Sequence, residues 1–231
     1  MAKLAGKIQF RVRDKDGNLI LKSEQPSRSF LLHFIELLYT YHGQINRVMD
    51  DVSGTSRTVH YNSEDRAGQN QKWRKPNLAT CAGPGVTPHY YYIDGYNLTW
   101  SADLRGIDFG IVVGNGVTVV TPQDNALAQR LANGRSTNQL EHGGSEVCEP
   151  AFSDPNGEML LRRHFTNRSG ATITVKECGI YAVGALYTAT APKFDTGRAW
   201  AFGIARDLVT PNIDVLTTEI LEVTYLIQTT V

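Results

Sequence analysis

The chain is poor in cysteine and has no excess of charge in either sign. Cys81, Cys148 and Cys178 are the only cysteines in 231 residues. An odd number at wide, unpatterned spacing builds no disulfide framework, and reduced thiols in a protein made in the cytosol are expected. No Cys-x-x-Cys pair offers the clustered ligands that zinc requires. No apolar run approaches the roughly 18 residues of a membrane helix. The opening "MAKLAGKIQFRVRD" alternates instead of forming an apolar block, so a signal peptide is not expected either. Lys+Arg and Asp+Glu stand at 23 each, a net charge of zero. Nonspecific attachment to DNA or anionic lipid draws on a basic excess, so neither is expected, nor is direct sequence-specific nucleic-acid binding. The stretch "QKWRKP" (71–76) is a local basic cluster only. Low net charge leaves little colloidal repulsion, which suits a protein destined for an assembly.

What the chain does have is apolar alternation. At 41% hydrophobic residues it can bury a substantial core. Ile8, Phe10 and Val12 alternate with Gln9, Arg11 and Arg13, and Asp16-Gly17 supplies turn residues before Leu19–Leu21 return: a β-hairpin. The acidic loop Asp14-x-Asp16-Gly17-Asn18 resembles a calcium loop, but Gln25 stands where the bidentate glutamate belongs. Further hairpins are expected around Ser53-Gly54 and Arg168-Ser169-Gly170. Leu221, Val223, Tyr225 and Ile227 alternate in a terminal strand. Two helices are predicted. The first covers about 28–42, where Phe30, Phe34, Leu37, Leu38 and Tyr41 recur at helical spacing, Gly43 stops the run and His42 faces its negative end. The second covers about 122–132, with Thr121 as N-cap, Pro122 at the first position and Asp124 near the positive end.

Between strand 107–113 and that second helix lies Gly114-Asn115-Gly116. A phosphate-cradling P-loop requires a following Gly-Lys-Ser/Thr, which is absent. The dinucleotide fingerprint requires a third glycine where Val119 stands. The motif therefore reads as a turn. The fold class is mainly β: an antiparallel β-sandwich or open barrel with two helices and long polar loops. One β-rich domain spans 1–231, with a possible hairpin–helix subregion over 1–61 and projecting loops over 62–92 and 133–158. Trp73 and Tyr90, Tyr91 and Tyr92 lie in or beside the first loop. Their aromatic density suits either a contact surface or rings packed inward.

No catalytic motif emerges. The nearest Cys–His pairs, Cys81 with His89 and His142 with Cys148, carry no local signature, and Cys178 sits in an apolar strand where an inert thiol is expected. Glu177, an acid in that strand, is expected to pair with a cross-strand arginine such as Arg162 or Arg163. Arg206-Asp207 reads as an ion pair near a strand end. No catalytic residue, metal or cofactor is assigned.

Five stretches together resemble a group of structural proteins of tailed bacteriophages: "RDKDGNLILKSEQPSRSFLLHFIELLY", "DDVSGTSR", "FGIVVGNGVTVVTPQDNALAQRLANG", "RHFTNRSGATITVKECGIYAV" and "IARDLVTPNIDVLTTEILEVTYLIQTT". They cover well over half the chain and leave out the two polar excursions. The resemblance implies a non-enzymatic virion component of collar, tail, baseplate or capsid surface, made in the host bacterial cytoplasm. Its expected partners are copies of itself and other virion proteins, gripped through loops and edge strands. Trp73 and Tyr90–Tyr92 would be the aromatic anchors. The alternative is a receptor- or glycan-binding module at a virion tip or surface.

Overall fold

The computed structural model describes residues 3–36, 47–59, 108–148, 150–153, 156–185 and 199–230. Trp73, Tyr90, Tyr91 and Tyr92, the loop 62–92, and the helix positions from 37 onward lie outside them. The strands are β1 (Lys3–Arg13), β2 (Leu19–Ser27), β3 (Arg47–Asp50), β4 (Ser56–Val59), β5 (Gly110–Gly114) and β6 (Ala132–Asn133). They continue with β7 (Gln139–Val147), β8 (Ala151–Ser153), β9 (Asn156–Thr166), β10 (Ile173–Ala185), β11 (Ala199–Val215) and β12 (Ile220–Thr230). One sheet runs β2-β1-β12-β9-β7-β6 with β8 beside β9, a second runs β11-β10-β5, and β3-β4 form a separate hairpin. The fold is mainly β and sandwich-like, without a closed barrel.

Alternation dictates how the two larger sheets meet. Ile8, Phe10 and Val12 on β1, Leu161 and Phe165 on β9, and Leu221, Val223 and Tyr225 on β12 bury one face of the first sheet. Ile173, Val175, Cys178 and Ile180 on β10, with Ile204, Val209, Ile213 and Val215 on β11, bury one face of the second, and all belong to one core. β5 departs from simple alternation, since Ile111, Val112 and Val113 are all fully buried. Val112 belongs to a smaller cluster with Leu127, Tyr181 and Ala201, so the second sheet is covered on both faces.

The turns lie where the residues placed them: Gly17, Gly54 and Gly170 all have positive φ, a conformation open to glycine at no steric cost. The loop 14–18 needs no cation to hold it, because the Asp14 carboxylate accepts the backbone N–H of Asp16 and Asn18 and the Asn18 side-chain amide. Hydrogen bonds from the Asn18 side chain, then its backbone, hold that carboxyl below its ordinary range.

Three expectations need correction. The first helix starts at Leu32 and not near residue 28, because residues upstream are used differently: Phe30 bridges Ala205, and Ser29 and Leu31 bond Arg206 and Ile204 of β11. The second helix is absent, and 121–131 is an irregular strap. Its Thr121–Asp124 turn keeps only the reciprocal half of a capping box: Thr121 N–H donates to the Asp124 carboxylate, while Thr121 Oγ1 donates to that carboxylate instead of accepting a backbone N–H, and Asp124 N–H goes to Thr121 O. The N–H groups a helix would use next are taken by the sheet instead. Leu127 N–H goes to Tyr181 Oη, Ala128 and Gln129 N–H to the Glu177 carboxylate, and Leu131 N–H to Val113 O. Finally, residues 139–147, expected inside a projecting excursion, form β7 and pair with β9.

Candidate functional site

The chemically conspicuous groups collect on and within the second sheet. Glu177 and Tyr181 project from the outer face of β10, and Arg206 from that of β11. Glu177 is fully buried: Oε2 accepts Arg206 Nε at 2.9 Å and Ala128 N–H at 3.0 Å, while Oε1 accepts Gln129 N–H at 2.7 Å and Gly116 N–H at 3.1 Å. Arg206 then reaches Asp124 through Nη1 and the Thr118 carbonyl and hydroxyl through Nη2. Burial disfavours the Arg206 charge, but the hydrogen bonds it donates to Glu177 and Asp124 outweigh it and raise the pKa. Burial likewise opposes the Asp124 charge, and bonds from Thr121 and Arg206 hold its carboxyl low. The cluster fastens the 121–131 strap and the Gly114–Gly116 segment onto the sheet; that segment, expected as a turn, is the end of β5 and an irregular continuation of it, with no positive φ at either glycine.

The partner of Glu177 is therefore Arg206, two strand positions off its register mate Leu208, and neither Arg162 nor Arg163. Arg162 pairs with Glu146, and Arg163 donates to the carbonyls of Gly143, Phe109 and Ile111. Nor are Arg206 and Asp207 a pair. Neighbours on a strand point to opposite faces, and Asp207 turns inward to accept Ser27 Oγ at 2.7 Å and Arg28 N–H at 3.0 Å. These contacts were illegible in the sequence because the bulge after Val175 offsets the pairing between β10 and β11.

The same geometry accounts for Gly116. A Cβ on Gly116 would lie 2.4 Å from Glu177 Oε1 and 2.9 Å from Gln129 N. Gly116→Ala should destabilise the protein by about 1–3 kcal/mol through overpacking, read as a lower denaturant midpoint, whereas Gly17→Asn in the open hairpin turn should change it little.

Inside the core, Cys178 Sγ lies 3.2 Å from Tyr225 Oη, and Tyr225 also bonds Asp207. Burial pushes the Cys178 thiol and the Tyr225 phenol up, and raises Asp207 despite the bonds from Arg28 and Ser27. A thiol held protonated and out of solvent is not positioned as a nucleophile. The chain of polar groups ties β12 of one sheet to β10 and β11 of the other, and on to Ser27 of β2. Cys178 is a free thiol, as expected of an apolar strand. Cys148, against the expectation of reduced thiols throughout, is disulfide-bonded.

On the first sheet's outer face, Glu222 accepts Arg11 at 3.0 Å and lies 3.1 Å from His164 Nε2. The His164 hydrogen bond, acting against burial, holds the Glu222 carboxyl down at about 2 from an ordinary 4.5. A depressed folded-state pKa stabilises the fold above the ordinary value, and that contribution is lost as pH falls from about 4.5 towards about 2. Urea titrations across this window should show the parent chain losing more stability than a His164→Gln variant.

A shallow depression of about 230 Å³ lies beside β2, lined by residues including Lys7, Glu24, Gln25 and Gln228. Among the described residues no aromatic ring lines it. Among the described residues no group of three His, Cys, Asp or Glu is placed to hold a metal ion, and no helix is long and apolar enough to cross a membrane. The predicted interface residues Trp73 and Tyr90–Tyr92 lie outside the described residues. No protein-family model, curated protein or solved structure matches the chain.

Proposed function

We propose that the chain is a non-enzymatic structural component of a tailed-phage virion, working as a symmetric oligomer with copies of itself and neighbouring virion proteins. The observation that carries this reading is how the buried charges are used. Glu177, Arg206, Arg163 and Asp207 all bond to turns, straps and carbonyls of the chain itself. Groups so committed stiffen a body. They are not left facing a cleft for a substrate. The resemblance of five sequence stretches to phage structural proteins supplies the setting.

Mass spectrometry of purified particles, from a culture that produces this protein, tests the reading. Peptides of the chain should be recovered at a fixed ratio to other virion proteins through successive purification steps. A protein abundant in the lysate but washed out of the particles would remove the proposal.

A further inference from the structure

The sandwich has four lateral edges, and the chain occupies three of them in part. Residues 29–31 run along β11, residues 129–131 along β5, and β6 along the start of β7. Among the described residues, none is paired to the outer edge of β2. Leu19 and Ile20 at its start are about half exposed, and Lys22, Glu24 and Pro26 are exposed along it. An uncovered edge presents unpaired backbone donors and acceptors, a template for another strand.

We propose that this edge pairs with β2 of a second copy, antiparallel, about a two-fold axis through Ser23. This rests on the assembly reading above and names the contact. Pro26 has no N–H, so its place in the β1 ladder opposite Lys7 must be one whose nitrogen faces outward. By the two-residue period, Glu24 and Lys22 face their N–H and C=O groups outward as well. A two-fold axis at Ser23 then sets Lys22 opposite Glu24 of the second copy, and Glu24 opposite its Lys22. Within its own chain Glu24 already accepts Lys7 Nζ and Gln9 Nε2, both at 3.3 Å, so the second copy's Lys22 joins an exposed pair that exists before association. Four main-chain hydrogen bonds and two opposite-charge pairs form together. Ser23 meets its own copy at the axis, where a small side chain permits close approach. Pro26 ends the pairing, because it cannot donate to the strand beyond. The contact is isologous and closes at two copies, so it does not propagate into a fibre.

Charge reversal tests it, using the full chain and sedimentation velocity over a concentration series. Lys22→Glu sets like charges across the axis and should weaken the dimer on the order of tenfold or more. The double exchange Lys22→Glu with Glu24→Lys should restore it in part, since opposite charges again face one another across the axis while Glu24→Lys gives up its own-chain pair with Lys7. Ser23→Cys should cross-link two chains on mild oxidation, because directly opposed residues at a non-hydrogen-bonded site lie about 4.5 Å apart at Cα. Asn18→Cys, in the turn beyond the strand, should not. Cross-linking at 23 supports the pairing even where the free dimer is weak. A dimer indifferent to Lys22→Glu, with no cross-link at 23, overturns the β2 contact but leaves self-assembly standing. A full chain monomeric at every concentration, with no cross-link, removes both.

Discussion

Glu177→Ala is expected to be the most damaging single change away from the apolar core, at about 3–5 kcal/mol. The carboxylate is the hub for three backbone N–H groups and the Arg206 guanidinium, in a site without solvent. Its removal orphans those donors and leaves Arg206 to Asp124 and Thr118 alone. Thermal unfolding should show a fall of roughly 10 °C. Replacing both partners with apolar residues of similar size should cost less than the single substitutions summed. Double-mutant coupling of about 1–3 kcal/mol is expected. Additive losses would mean that the two charges do not act as a pair.

Arg163→Ala should come second, at about 3–5 kcal/mol, and for a different reason. Among the described residues Arg163 is the largest fully buried side chain, and its donors reach carbonyls from two places: Gly143 on β7, then Phe109 and Ile111 at the start of β5. It therefore pins the edge strand of the second sheet to the first sheet. Burial, with the neighbouring Arg130 charge, lowers its pKa to about 10. Alanine leaves a cavity and up to three unsatisfied carbonyls. Arg163→Lys keeps a charge but supplies one compact donor group instead of a planar fork, so it should recover only part of the loss. Guanidinium unfolding midpoints for the two variants decide the matter. Equal losses would show that the bulk of the side chain, and not its fork, is what counts.

Much of the fold was legible because alternation is a local signal. Ile8, Phe10 and Val12, like Leu221, Val223 and Tyr225, face the core as their spacing predicts. Asp16-Gly17, Ser53-Gly54 and Ser169-Gly170 turn the chain for reasons contained in two residues. The failures share a cause. The strap 121–131 carries every local mark of a helix start, yet its backbone donors are claimed by Tyr181, Glu177 and Val113, residues distant in sequence. The partner of Glu177 was missed for the same reason: a bulge resets the register, and counting along one strand cannot show which arginine it meets. The single signal available was the pairing of an acid in an apolar strand with a Gly-x-Gly before a polar, cap-like segment. Burying a carboxylate requires donors, and tight turns supply them. The candidate interface residues Trp73 and Tyr90–Tyr92 rest on aromatic density alone.

The proposal with the widest reach is that this stiff body works by associating with its own copies. Light scattering on the purified full chain, eluting from a sizing column over a wide concentration range, tests that most directly. A defined multiple of the 25.6 kDa chain mass is expected. A single 25.6 kDa species at every concentration would contradict it.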